Sequence, residues 1–388
     1  MNETALRVKN SFKEKFKVEP HLYYSPGRIN LIGEHVDYND GFVMPAAIDK
    51  GIYFAMALNE SEQINLYSID FNESISLPLS EVKKMDTWKN YVLGVVNEFQ
   101  KLNLPLKGFD CLFGGNIPIG AGISSSAALE GGIAFGLNEL FNFGLSRKEL
   151  ALLCQRAEHN FPGVKCGIMD QYANMMGEKN SLILLDCMNI THEYIPLNME
   201  GYEIVLINSK VHHSLASSEY NRRRKECEEG LNILKDYSNV QSFRDVSKPE
   251  SLTGFEKKMS KEVFKRCLYV VEEIYRTKKA AQLLKENNIE AFGKLMFQTH
   301  EGLKNLYHVS CKELDYLVDR AAENKGVVGA RLMGGGFGGC TINIVKEKGI
   351  SQFLSETLFA YKEQFNIEAE VYEVKVVDGT SENTDSSL

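Results

Sequence analysis

The sequence lacks paired cysteines and long apolar runs, and each absence excludes a class of protein. Its eight cysteines contain no CxxC pair, which argues against zinc and redox sites and is typical of reduced thiols in a cytoplasmic protein. No apolar run approaches the roughly 18 residues of a membrane helix. The N-terminal stretch MNETALRVKNSFKEKF has no apolar core of a secretory signal. We therefore expect a cytoplasmic protein without membrane association.

An excess of basic residues is also missing. The chain has 44 Lys and Arg against 52 Asp and Glu, a formal net charge of -8, whereas a nucleic-acid surface normally carries a basic stripe. The single dense basic cluster, RRRK at 222–225, is followed at once by three glutamates, as on a helix with charges of both signs. The sequence thus predicts no nucleic-acid partner, and it indicates no protein partner.

Length and patterning predict two α+β domains. A chain of 388 residues exceeds what one core usually fills. Strand-like and helical segments are interspersed without the regular alternation of a parallel sheet. Pro196 and Gly201 lie between two apolar strand patterns, so we expect an N-terminal domain over 1–197 and a C-terminal domain over 198–378. The polar tail 379–388 is predicted to be disordered.

The glycine-rich segment GGNIPIGAGISSSAALEGG, residues 114–132, runs directly into a helical pattern. Glycine allows tight turns and close approach, and a helix N-terminus offers unpaired N–H groups and a positive dipole end. Together these features are typical of a phosphate site. A plain strand-to-helix turn could use the same residues. The P-loop pattern GxxxxGK[ST] is absent from the sequence.

Two further motifs are candidates for ligand binding, one rich in polar side chains and the other rich in glycine. In PGRINLIGEHVDYNDG, residues 26–41, the side chains Arg28, Glu34, His35 and Asp37 alternate donors and acceptors, which suits a polyhydroxylated ligand; a solvated charged turn is the alternative. A metal cluster is less suitable because no second His or Cys pair accompanies them. The GxGxxG in RLMGGGFGGCTI precedes a strand rather than a helix, so it is no dinucleotide fingerprint but a loop that approaches a ligand or another loop.

Five motifs in register resemble the galactokinases of the GHMP kinase family. GRINLIGEHVDYNDG resembles the galactokinase signature, PIGAGISSSAALE the family's ATP loop, and LMGGGFGGC its third glycine motif. CGIMDQY (166–172) and SLASSEYNRRRKECEE (214–229) match in order and spacing. The resemblance spans residues 10–377. It implies a two-domain GHMP kinase fold, with an N-terminal domain related to ribosomal protein S5 domain 2, a ferredoxin-like C-terminal domain and a site between them.

The same resemblance implies a site for ATP and a magnesium ion. It assigns Ser126 and Glu158 to Mg²⁺, a cation that prefers oxygen ligands. The residues implied around the nucleotide are Ser68, Gly120, Ala121, Gly122, Ile123, Ser124, Ser125 and Ser126.

For the sugar, the resemblance implies transfer of the γ-phosphoryl group of ATP to the C1 hydroxyl of galactose. Asp170 is the implied catalytic base, and Arg28 its partner, which keeps the carboxylate ionised and stabilises developing charge. The residues implied to bind galactose are Glu34, His35, Asp37, Gly167, Asp170 and Tyr220. N-acetylgalactosamine 1-kinases use the same motifs, so this activity remains an alternative. A non-catalytic sugar sensor is altered in the serine-alanine part of the ATP loop, which is complete here.

Overall fold

The computed structural model describes residues 2–118, 120–212 and 216–383. The described chain forms the α-helices α1 (Glu3–Phe16), α2 (Lys89–Lys101), α3 (Ser125–Phe141), α4 (Arg147–Asn160), α5 (Met169–Met176), α6 (Ala216–Tyr237), α7 (Lys261–Lys285), α8 (Ile289–Gly302), α9 (Lys312–Glu323) and α10 (Ile350–Phe365). No helix in these ranges is long and apolar enough to cross a bilayer. Ser214 and Leu215, which open one of the five motifs, lie outside the described residues.

The strands fall into three sheets. They are β1 (His21–Asn30), β2 (Phe42–Val43), β3 (Pro45–Leu58), β4 (Gln63–Ser68), β5 (Glu73–Pro78), β6 (Phe109–Gly115), β7 (Ser181–Asp186), β8 (Thr191–Pro196), β9 (Tyr202–His212), β10 (Val327–Leu332), β11 (Gly338–Lys346), β12 (Glu370–Glu373) and β13 (Ser381–Glu382). The first half contains a six-stranded sheet in the order β13-β1-β3-β6-β4-β5 and a three-stranded sheet β2-β7-β8. The second half contains the four-stranded sheet β10-β11-β9-β12. The predicted α+β class is confirmed.

Helix α3 packs closely on the large sheet because it presents glycines to the side chains of β3. A Cβ added at Gly132 would lie 2.0 Å from the ring of Phe54, and one at Gly136 would lie 2.4 Å from the sulfur of Met56. The helix is buried along most of its length, with Leu129, Ile133 and Leu137 in the core. This close packing fixes the N-terminus of α3 and therefore the glycine loop that precedes it.

The next helix, α4, begins at a capping box. Ser146 and Glu149 form a complete capping box at the N-terminus of α4, each side chain bonding to the other residue's backbone N–H. Helix α3 ends at Phe141, and Asn142 takes the left-handed cap conformation, since asparagine tolerates a positive φ.

The two halves share a hydrophobic core. One continuous cluster joins Val36 and Val43 of the first half to Val270 and Ile274 of α7. The change of sheet between β8 and β9 agrees with a boundary near residue 197, which stays a prediction. The chain also returns to the first half after β12, because Val377 donates its N–H to the carbonyl of Ala47 at 3.0 Å.

The predicted disorder of the tail does not hold for residues 379–383. Gly379 donates its N–H to the carbonyl of Gly177 at 2.9 Å, and the two residues of β13 pair with β1. Thr380 is fully buried, and its hydroxyl donates to the side-chain oxygen of Asn174 at 2.8 Å. Composition missed this order because the tail is held by polar bonds to distant residues rather than by apolar side chains. Residues 384–388 lie outside the described range.

Candidate active site

An arginine–aspartate pair stands where β1, the glycine loop and α5 meet. Arg28 follows a register shift in β1, and Asp170 lies in the first turn of α5. The guanidinium donates Nε to Asp170 Oδ1 at 2.7 Å and Nη2 to Oδ2 at 2.8 Å. Such bidentate, charge-assisted bonds fix both side chains in one orientation. The structure thus joins the two residues that the sequence analysis paired.

The glycine loop is bonded directly to this pair. Arg28 donates Nη1 to the carbonyl of Gly122 at 2.6 Å and its backbone N–H to that of Ile123 at 3.0 Å. The hydroxyl of Ser124 donates to Asp170 Oδ2 at 2.7 Å. Gly120, Gly122 and Ser124 all have positive φ, so the loop curls before α3 begins. The predicted phosphate loop and the predicted catalytic pair therefore share one site.

Next to the pair lies a cavity of about 130 Å³. It collects every residue that the sequence analysis assigned to the sugar, although these come from separate segments of the chain. The lining consists of Arg28, Glu34, His35, Asp37, Glu158, Val164, Cys166, Gly167, Met169, Asp170, Tyr220, Gly334 and Gly335.

The cavity is rich in carboxylates. Burial, together with the charges of Asp170 and Glu34, raises the pKa of Asp37 to about 7. Burial and the charge of Asp170 likewise raise the pKa of Glu158 to about 7. Hydroxyl donors and a cation are the groups that would relieve this excess of negative charge.

Glycine is required at 167 for a steric reason. A Cβ on Gly167 would lie 1.9 Å from Oδ2 of Asp37, closer than any non-bonded contact allows. The loop between α4 and α5 can therefore cover Asp37 only without a side chain at this position. Tyr220 of α6 packs its ring 5.3 Å from that of His35 and closes another side.

His35 is held by protein groups at both ring nitrogens. Nε2 lies 3.2 Å from the carbonyl of Gly335, which can only accept, so Nε2 carries the hydrogen. Burial lowers the pKa of His35 to about 4, which leaves Nδ1 unprotonated at neutral pH. The hydroxyl of Tyr38 therefore donates to Nδ1 at 2.8 Å and itself lies 2.9 Å from the hydroxyl of Tyr307. Protein groups thus engage both ring nitrogens of His35, and its role as a sugar ligand stays a prediction.

A second cavity, of about 310 Å³, borders the N-terminus of α3. Its wall includes Ser68, Ser125 and Ser126, as the resemblance implied for a nucleotide. Sequence reasoning assigned none of its apolar residues to the nucleotide. Ile117 and Leu129 belong to the glycine-rich segment, and the others come from dispersed positions without a local motif: Ile52, Phe71, Trp88, Tyr91 and Phe113. The rings of Phe71 and Trp88 are nearly parallel, 6° apart with centroids at 6.4 Å. Flat aromatic walls of this kind suit a planar heterocyclic base.

Between the two cavities lies a buried acidic group that fits a hard cation. The Ser126 hydroxyl favours the charged form of Glu158, and Gln171 donates Nε2 to Glu158 Oε2 at 2.6 Å. Glu130, one turn after Ser126, is fully buried, and its Oε1 has no partner. Burial and the charge of Glu158 hold the pKa of Glu130 well above its usual range. Among the described residues no group of three or more His, Cys, Asp or Glu could hold a metal ion, so a cation at this place would also need oxygens from phosphate or water.

The third glycine motif touches both predicted binding loops. Gly334 and Gly335 line the smaller cavity, and a Cβ on Gly334 would lie 3.2 Å from the carbonyl of Gly122. Gly334 and Gly336 have positive φ, and a Cβ on Gly336 would lie 2.2 Å from the carbonyl of Val309. The sequence analysis left open whether this loop approaches a ligand or another loop. It lines the cavity and also packs against the glycine loop.

Comparison with known proteins matches three parts of the chain to family descriptions. The galactokinase galactose-binding signature covers residues 10–58, the GHMP kinases N terminal domain 90–178, and the GHMP kinases C terminal domain 280–361. The galactokinase of Thermotoga neapolitana is 41% identical over 355 residues, which cover 92% of this chain and 98% of that protein. The galactokinase of Clostridium perfringens is 41% identical over 381 residues, covering 97% and 98%.

Solved structures agree with the sequence relatives. The crystal structure of Lactococcus lactis galactokinase complexed with galactose matches with a TM-score of 0.94 at 36% identity, covering 97% of this chain and 99% of that one. A mevalonate kinase structure matches with a TM-score of 0.63 at 24% identity over 92% and 99% of the two chains, which bears on the fold alone.

Proposed function

The chain belongs to the galactokinases of the GHMP kinase family, and from this membership we propose that it transfers the γ-phosphoryl group of ATP to the C1 hydroxyl of D-galactose, giving galactose 1-phosphate and ADP. The observation that carries the proposal is the bonding of Arg28 to both Asp170 and Gly122. It places a carboxylate of the sugar cavity beside the loop that would hold the phosphates. A kinase needs these two neighbourhoods in contact.

In the smaller cavity, Glu34 and Asp37 accept hydrogens from sugar hydroxyls. Asp170 is the base that takes the proton of the C1 hydroxyl, a step that contributes typically about 10² to 10⁴ in rate. Arg28 holds Asp170 in position through two bonds and stabilises negative charge that develops on the attacking oxygen. Gly167 lets the loop between α4 and α5 pack directly on the carboxylate of Asp37.

In the larger cavity, the base of ATP lies among Phe71, Trp88 and Tyr91, and the phosphates lie on backbone N–H groups of residues 120–126. Ser126 and Glu158 are the residues that would hold a magnesium ion. When bound, such an ion neutralises charge on the phosphate oxygens. Since all eight cysteines are free thiols, we place the reaction in the cytoplasm.

The first experiment measures ADP release with a panel of hexoses, including N-acetylgalactosamine, with and without Mg²⁺. We expect turnover with galactose and Mg²⁺, and a product whose phosphorus NMR signal couples to the C1 hydrogen. Turnover with N-acetylgalactosamine at a kcat/KM equal to or greater than that for galactose would make N-acetylgalactosamine the assigned substrate. Absence of ADP with every hexose would reject the proposed kinase activity.

The single tryptophan gives an independent readout of the nucleotide site. Trp88 lines the larger cavity, so MgATP should change its fluorescence with a saturable dependence on concentration. The matched variant is Asp170→Asn, which keeps the size of the side chain. It should retain this fluorescence change and bind galactose in calorimetry, but lose turnover. A wild-type kcat in this variant removes Asp170 from the mechanism.

A further inference from the structure

We propose that Arg331 is a positioning residue for galactose binding, because it orients the carboxylate of Glu34 from outside the cavity. This inference rests on the proposed function. Arg331 lies at the end of β10 in the second half of the chain and is fully buried. It precedes the third glycine motif, to which the proposed mechanism assigns no step.

The guanidinium of Arg331 binds the end of β1 and the loop after it at three positions. It donates Nε to the carbonyl of Leu31 at 2.9 Å, Nη2 to the carbonyl of Asn30, and Nη1 to Glu34 Oε2 at 2.8 Å. A single side chain thus fixes both the backbone of this loop and the side chain at its end. Lysine cannot reproduce this, since it has one nitrogen where arginine presents a planar fork.

The two oxygens of Glu34 have different partners. Oε2 receives Arg331 and also the backbone N–H of Gly334 at 3.0 Å. The described residues supply donors to Oε2 but not to Oε1, and Glu34 lines the sugar cavity. With two donors on one oxygen, the carboxylate cannot rotate, and Oε1 stays available to a sugar hydroxyl.

The charge of Arg331 has a local purpose as well. Asp37 and Asp170 line the same cavity as Glu34, and like charges at this range repel one another. Arg28 compensates Asp170, and Arg331 compensates Glu34 at 2.8 Å. The cavity is therefore built on two parallel arginine–carboxylate pairs, only one of which belongs to the phosphoryl-transfer chemistry.

Two other groups hold the same loop but do not touch the carboxylate of Glu34. Tyr269 donates its hydroxyl to the Glu34 carbonyl at 2.9 Å, and Glu273 accepts the N–H of Gly33 at 2.8 Å. Both belong to α7, so the loop is held from the second half of the chain at several points. Arg331 differs because it alone among them bonds the group that faces the sugar.

The test compares wild type with Arg331→Lys, using galactose and analogues that each lack one hydroxyl. Loss of one oriented, charge-assisted bond should raise the KM for galactose roughly 10- to 100-fold, whereas the KM for ATP and the kcat at saturating galactose stay near wild type. The analogue lacking the hydroxyl that Glu34 binds should be penalised in wild type and much less in the variant. The other analogues should keep their wild-type penalties.

The matched control is Arg266→Lys, the same change in another buried arginine. Arg266 donates Nε to Glu226 at 2.8 Å, and neither residue lines the cavity. Its KM for galactose and its penalties for the analogues should match wild type. An Arg331→Lys enzyme whose analogue penalties all equal those of wild type overturns the inference, as does a fall in kcat with unchanged KM. Failure of wild type itself to phosphorylate galactose would instead reject the proposed function.

A second comparison covers the case in which Arg331→Lys does not fold. The double variant Glu34→Gln with Arg331→Met removes both buried charges together, so neither is left without its partner. If Arg331 acts through Glu34, the double variant and Glu34→Gln alone have the same KM for galactose. A KM in the double variant far above that of the single variant overturns the inference.

Discussion

The bidentate contact between Arg28 and Asp170 predicts how a conservative change should behave. Arg28→Lys keeps the positive charge but replaces a fork that makes two bonds to Asp170, at 2.7 and 2.8 Å, with a single nitrogen. One charge-assisted bond is then lost, which is worth about 1.5–3 kcal/mol. If that bond sets the geometry of the base, kcat should fall roughly 10- to 150-fold.

The assay is a kinetic cycle with Asp170→Asn. We measure kcat for wild type, each single variant and the double variant, at saturating galactose and ATP. Groups that act as a unit are strongly non-additive. In the Asp170→Asn background the fork has no carboxylate to hold, so Arg28→Lys should have little further effect. Arg266→Lys serves again as the control for an arginine-to-lysine change outside the cleft.

The refuting result is additivity. If Arg28→Lys lowers kcat by the same factor in the wild-type background and in the Asp170→Asn background, the arginine acts on the phosphoryl group or the fold, and not through the base. A wild-type kcat for Arg28→Lys would show that charge alone suffices and that the two-bond geometry is irrelevant to turnover.

Three further predictions follow from single contacts. Gly167→Ala should raise the KM for galactose without changing that for ATP, because the new Cβ would displace Asp37; an unchanged KM for galactose would contradict the 1.9 Å contact. The folded pKa of Asp37 is raised from 3.8 to about 7, so its contribution to stability is complete below pH 3.8 and is lost as pH rises through 7. Over this pH range, the free energy of unfolding measured in urea should therefore fall less in Asp37→Asn than in wild type. An equal slope of that free energy against pH in both proteins would argue against the shift in the pKa of Asp37. Thr380→Val should lower the free energy of unfolding by about 1–3 kcal/mol, since it removes the hydroxyl that donates to the buried side-chain oxygen of Asn174. Thr380→Ser keeps a hydroxyl and should remain near wild type.

Much of the candidate site was predictable because its residues lie in contiguous motifs. One motif contains Arg28, Glu34 and Asp37 within ten positions. In another, glycines stand directly before a helical pattern, which indicates a phosphate site. The position of a residue within a motif does not, however, reveal its hydrogen-bond partners in the folded protein. The sequence suggested that His35 contacts the sugar, whereas folding engages both of its ring nitrogens with Gly335 and Tyr38.

The sequence by itself determined the α+β class, the family and the chemical types at the centre of the cleft, because periodicity, capping and short motifs are local properties. Tertiary structure alone decided the aromatic cavity around Trp88, the bond of Arg331 to Glu34 and the order of the tail at Thr380. Each depends on residues tens to hundreds of positions apart, and no local pattern records such a contact. Packing of the two halves on a shared core brings Arg331 within hydrogen-bond distance of Glu34.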